Sequence, residues 1–186
     1  VATAQTHPRL QRALTQVRAI FATQSIEISP VVYNDISTDF AQLDGVDLRS
    51  DQAKDMLALG RDNLGVNLFV IERFQNDEDL IGSVGGVSAA IPGDPRGGQL
   101  FSAVVVATSF SEDDPERDVL GLTMAHEIGH FLGLFHTLEA NGLTDHLIDT
   151  DDNSNDNLMH HLSRPGVDTL SDHQGMVLRS HPAVAP

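Results

Sequence analysis

The 186-residue chain has no cysteine, no tryptophan, one tyrosine and one lysine, Lys54. Without a thiol there is no disulfide framework, no thiolate zinc site and no cysteine nucleophile. Positive charge is also scarce: 11 basic residues stand against 27 acidic ones, a formal net charge of -16. So acidic a surface is a poor partner for nucleic-acid phosphates and anionic membranes. Long apolar runs are missing; the longest, Ala103–Ala107, falls far short of a bilayer span. No segment combines a charged start with an apolar stretch as a secretory signal does, and the chain begins at Val1. A processed mature form or an excised domain is therefore expected. The acid excess, with ten Arg and a single Lys, points to a secreted, extracellular setting. The rest is ordinary for a folded protein: 40% hydrophobic and 20% charged residues. One core and a single domain over 1–186 are expected.

The patterning reads as mixed α/β. Leu10, Leu14, Val17 and Phe21 share a helical face, which predicts a helix over 8–23 with Thr6 as cap. Ile26, Ile28, Val31 and Val32 predict a strand. Ser50 and Gly60 bracket a short helix over 51–59. Further strands are predicted over 68–74, 84–91 (VGGVSAAI) and 100–108, the last around Val104, Val105 and Val106. Asp114 and Pro115 are expected to open a helix that runs to about Leu132 and stops at Gly133. Residues 139–158 are rich in Asp and Asn and read as loop. Ser171 and Gln174 form a capping box for a last helix ending near His181. His7, His146, His173 and His181 lie outside any motif and read as surface histidines.

The chemistry lies in His126-Glu127-Ile128-Gly129-His130-Phe131-Leu132-Gly133-Leu134-Phe135-His136. On a helix, positions four apart lie on one face, so His126 and His130 can share a metal. Gly133 permits a sharp turn that brings His136 round as a third imidazole. Three neutral imidazoles suit zinc and leave a fourth tetrahedral position open, as in catalytic sites. Glu127, next to the first ligand, has the position of a general base. By this chain's own composition the short His-Glu-x-x-His pattern arises by chance in about one such chain in fifty, and the longer pattern in roughly one in ten thousand.

HEIGHFLGLFH resembles the long zinc signature of the metzincin metallopeptidases, and more narrowly that of the pappalysin or cytophagalysin group. The run continues into Thr137 and Glu139, Asp149-Thr150, and Asn157-Leu158-Met159; Leu170-Ser171-Asp172-His173-Gln174 resembles that group's next helix start. The resemblance implies a metzincin-like α/β (α+β) zincin fold, with a twisted mixed sheet and two long helices above the cleft. It implies an N-terminal subdomain over 1–136 carrying the zinc helix, and a loop-rich C-terminal subdomain over 137–186. By the same resemblance His126, His130 and His136 bind zinc, and Met159 forms the Met-turn beneath them. Glu127 activates the zinc-held water of an endopeptidase. A peptide would pair with the strand around Gly86, Val87, Ser88 and Ala89.

Two positions depart from the group's pattern. Arg164 stands five residues after Met159, where arginine-cleaving relatives carry an Asp in the specificity pocket, so an acidic or neutral side chain is expected there. His161 replaces the usual Tyr two residues after the methionine, and is expected to act as an oxyanion donor or a resting zinc ligand. Calcium is a further expected ion, at Asp145, Asp149 and Asp151, with Asp152, Asn153, Asn155 and Asp156 nearby. The expected partner is a protein or peptide substrate of a monomeric enzyme. A silent metzincin-fold binding module and a zinc hydrolase of non-peptide amides stay open; the retained Glu127 argues against the first.

Overall fold

Among the described residues, five short strands and four α-helices form, with one strand fully buried. The computed structural model describes residues 3–61, 64–75, 84–98, 100–110, 113–114, 116–139, 141–150, 156–161 and 164–185. Helix α1 spans Pro8–Ala22 and buries Leu14, Val17 and Phe21 of the expected stripe together with Ala13 and Ile20, while Leu10 is half-buried. The helix begins at residue 8, as expected, but Thr6 is not its cap. His7 is the N-cap and Pro8 occupies the first turn, where a missing N–H costs nothing, while Thr6 pairs with Thr3 in a separate 3-10 turn. The strand expected around Ile26–Val32 does not form. Ser25 leaves α1 at φ 59°, Ile26 bonds back to Phe21, and Val32 is 80% exposed, so this stretch lacks a ladder partner.

Strand β1 is Gln42–Asp44, and helix α2 is Asp51–Leu57 with a 3-10 turn to Gly60. The Ser50 side chain caps α2, accepting from the Ala53 N–H. The expected strand over 68–74 divides at Glu72 into β2, Asn67–Ile71, and β3, Arg73–Gln75. The division is one of pairing: β2 runs parallel to β5, Ala103–Ala107, whereas β3 runs parallel to β1. Strand β4 is only Gly86–Ser88 and lies antiparallel to the other side of β5, giving the order β2-β5-β4.

All five β5 residues are buried, which explains the unbroken apolar run. Val104 and Val106 join α1 and helix α3 (Leu120–Phe131) in one core, while Ala103, Val105 and Ala107 join α2, Phe69 and Phe74 in the other. α3 starts later than expected. Asp114 closes only a turn, receiving the N–H groups of Arg117 and Asp118 on its carbonyl and that of Glu116 on its side chain; Pro115 lies outside the described residues. Asp118 then accepts from the Leu120 N–H and pairs with Arg9 of α1 at 2.9 Å, both side chains nearly buried. Helix α4, Asp172–Ser180, has the expected Ser171–Gln174 capping box. This mixed α/β arrangement is a metzincin-like zincin fold. Among the described residues no helix is long and apolar enough to cross a membrane.

Candidate metal centre

α3 is apolar on nearly every face, and burial of its second half carries His126, Glu127 and His130 into the interior. The helix ends in a Schellman turn. Gly133 takes φ 108°, its N–H bonds to the His130 carbonyl, and the Leu134 N–H bonds to that of Gly129. A side chain with Cβ is strained at that φ. The reversal brings His136 back over the helix. Its Nε2 lies 3.1 Å from Nε2 of His126 and 3.1 Å from Nε2 of His130. The edge of a tetrahedron of nitrogens bound at zinc's usual bond length is about 3.3 Å, so the spacing fits.

The far nitrogens decide the tautomers. Nδ1 of His126 faces the Leu158 carbonyl at 2.7 Å, Nδ1 of His130 the Leu134 carbonyl at 2.7 Å, and Nδ1 of His136 the Glu139 carboxylate at 2.9 Å. Each partner is an acceptor, so each Nδ1 carries the proton and each Nε2 directs a lone pair to the common point. Burial, reinforced by the neighbouring imidazoles, lowers the pKa of His126 to about 3; burial alone dominates at His130, lowered to about 4. Both rings are therefore neutral at physiological pH, the state a metal requires. Among the described residues this is the one group of three or more His, Asp or Glu side chains with converging ligand atoms.

Glu127 lies beside this cluster. Burial raises its pKa to about 8, partly opposed by a hydrogen bond from the Ser88 backbone N–H. The contact with β4 is close: a Cβ on Gly86 would come within 2.7 Å of Glu127 Cγ. Beneath the helix, Met159 is fully buried, and its sulfur would lie 2.7 Å from a Cβ on Gly129, between His126 and His130 in the sequence. Met159 is held in turn by a buried amide pair. Asn157 accepts the Met159 N–H at 2.9 Å and exchanges two hydrogen bonds with Gln174, at 2.9 and 3.1 Å.

Several expected residues lie apart from the three imidazoles. His161 is half-buried, donates from Nδ1 to the Leu138 carbonyl at 3.0 Å, and stacks on His160 with ring centres 4.5 Å apart. Arg164 is exposed, and its charge reaches His160, whose pKa burial and His161 also lower. Asp145 bonds the Leu147 N–H and the Thr150 hydroxyl, and Asp149 bonds the Ser171 hydroxyl and the His173 N–H. Asp151, Asp152, Asn153 and Asn155 lie outside the described residues. His181, read as a surface residue, is buried: it donates from Nε2 to the Gly93 carbonyl at 2.9 Å and packs on Phe131. The sequence reading assigned no role to Glu139, His160 or the Asn157–Gln174 pair. Only Glu139 carries a usable signal, a carboxylate three residues past His136.

A family comparison agrees with this geometry. Residues 15–174 match the metallo-peptidase family M12B, reprolysin-like. The match covers most of the chain, which belongs to that family and is a metallopeptidase domain by membership. No curated protein matches the chain.

Proposed function

We propose that this chain is a zinc-dependent endopeptidase in which His126, His130 and His136 hold the metal and Glu127 is the general base. The observation that carries the reading is the convergence of three imidazole lone pairs beside one buried carboxylate, against an open sheet edge. A zinc ion bound there supplies Lewis-acid chemistry, polarising a carbonyl and acidifying water. Glu127 takes a proton from the attacking water and delivers it to the amine nitrogen as the C–N bond breaks; the acid and amine products together contain the water's atoms. Leu158, Leu134 and Glu139 keep the three rings in the metal-binding tautomer.

Among the described residues β4 is an edge strand, and an extended peptide satisfies its backbone there whatever its sequence. Gly85 and Ala89 bond to β5, so the backbone groups of Gly86 and Ser88 point outward while Val87 faces β5. Arg164 is assigned to side-chain selection and His161 to the oxyanion side; with Nδ1 committed to Leu138, His161 donates from Nε2 only as an imidazolium. Within the metzincins we place the chain nearest the pappalysin and cytophagalysin group, on Asn157-Leu158-Met159 and the Ser171–Gln174 helix start, and we place it outside the cell. Calcium remains part of the proposal at Asp145 and Asp149: both carboxylates accept hydrogen bonds, while Asp145 Oδ2 is buried with no hydrogen-bond partner.

The test is a zinc titration followed by a peptide-library digest. One zinc per chain, internal cleavage of peptides and loss of cleavage on chelation are expected. Cleavage that survives complete removal of metal would overturn the proposal.

A further inference from the structure

The base is buried among apolar groups, and a carboxylate so placed needs a fixed donor to aim it. The structure offers one. In the β4–β5 ladder the hydrogen-bonded pairs are Gly85 with Ala107 and Ala89 with Ala103, with Val87 opposite Val105 between them. By the two-residue alternation of an antiparallel ladder, the N–H and C=O of Gly86 and Ser88 therefore face away from β5. The Ser88 N–H, so turned, lies where it lowers the pKa of the Glu127 carboxylate against the rise that burial causes. The absence of a side chain at Gly86 lets strand and carboxylate approach, since a Cβ there would meet Glu127 Cγ at 2.7 Å. The Ser88 hydroxyl turns aside and donates to the Ala90 carbonyl at 2.9 Å, so the backbone, not the side chain, meets the base.

We propose that the Ser88 backbone N–H is the positioning group of the Glu127 carboxylate, so that the edge strand receiving the peptide also aims the base. One carboxylate oxygen is anchored on the strand and the other is left to face the imidazole cluster. The same bond removes the Ser88 N–H from the donors open to substrate. A peptide then pairs with β4 through both backbone groups of Gly86 and the carbonyl of Ser88. This inference rests on the peptidase reading, and the experiment separates the two.

Zinc-loaded protein is first assayed for peptide cleavage that disappears in Glu127→Ala; failure there sinks the peptidase reading itself. Ser88→Pro is then compared with Ser88→Ala. Proline removes the N–H at an edge position that β5 does not use, where its ring is tolerated; alanine keeps it. Displacing a reacting group by about 1 Å costs about a hundredfold in rate, so kcat of Ser88→Pro should fall by roughly that factor below kcat of Ser88→Ala, with KM within about twofold and zinc content equal. Gly86→Ala, whose Cβ would press on Glu127 and also on Val106 and the Val105 carbonyl, should likewise lower kcat at equal zinc content and decides the matter if the proline variant does not fold. Equal kcat in Ser88→Pro and Ser88→Ala would overturn the proposal. So would losses confined to KM or to zinc content.

Discussion

Each of the three converging imidazoles is fixed at its far nitrogen by an oxygen acceptor, and only one of those acceptors is a side chain. Glu139, 2.9 Å from His136 Nδ1, can be removed without touching the backbone. Loss of such a supporting partner typically weakens metal binding about 10–100-fold. Glu139→Ala should therefore raise the zinc dissociation constant by that factor in a competition titration with a chromophoric chelator, while Glu139→Gln, whose amide oxygen still accepts, should lose less. Gly129 makes a second point at this scale. It sits on the helix between His126 and His130, and a methyl group there would press on the Met159 sulfur at 2.7 Å. Overpacking a full core typically costs about 1–3 kcal/mol. Gly129→Ala should lower the unfolding free energy by that amount and shift the denaturation midpoint down; an unchanged midpoint would show that the Met-turn is looser than described.

Among the elements, α4 and the Met-turn are one unit because Asn157 and Gln174 satisfy each other's amides in a site closed to water. Leaving one buried amide unpaired costs about 1–3 kcal/mol, whereas removing both can be nearly neutral. Gln174→Leu alone should thus be strongly destabilising in a urea titration, and Asn157→Leu with Gln174→Leu should cost clearly less than the sum of the two. Additivity would contradict the pairing. This unit also shows what was legible in the sequence. The capping box is a local signal and predicts the start of α4, and periodicity predicts α1, α2 and the apolar β5, because both are encoded within a few residues; the cap of α1 falls at His7 instead of Thr6. The amide pair spans 17 positions and has no local trace. The failed strand near Ile28 and the division at Glu72 have the same cause: β-pairing is set by distant partners, and apolar alternation does not say which partner a strand finds. The delayed start of α3 differs, since an Asx turn at Asp114 competes with a cap for the same sequence pattern.

Taken as a whole, the chain builds a charge-poor interior inside an acidic shell, and its titratable centre sets a pH window for the metal-free protein. His126 and His130 stay neutral far below the ordinary imidazole range, at about 3 and about 4. Between those values and about pH 6.5 the unfolded chain binds more protons than the folded one, so stability rises with pH across that range. Glu127 acts in the opposite direction. Its folded pKa of about 8 lies above the ordinary 4.5. The unfolded chain therefore releases a proton that the folded one keeps, and stability falls as pH rises from about 4.5 to about 8. With two histidines against one glutamate, the three groups together favour folding most near pH 6.5. Metal-free Glu127→Gln should flatten the decline from pH 6.5 to 8 relative to the parent, measured by denaturation midpoints. Parallel curves would show that Glu127 is not buried as described.

The central claim is that the three imidazoles hold a zinc used with Glu127 to cut peptides, and one paired measurement tests it most directly. Parent and Glu127→Ala are loaded to the same zinc content, verified by elemental analysis, and assayed on the same peptide at saturating concentration. The account predicts one zinc in each and a loss of most turnover in the variant, since the ligands remain and the proton acceptor is gone. Hydrolysis by the variant at near the parental rate, with zinc in place, would contradict it.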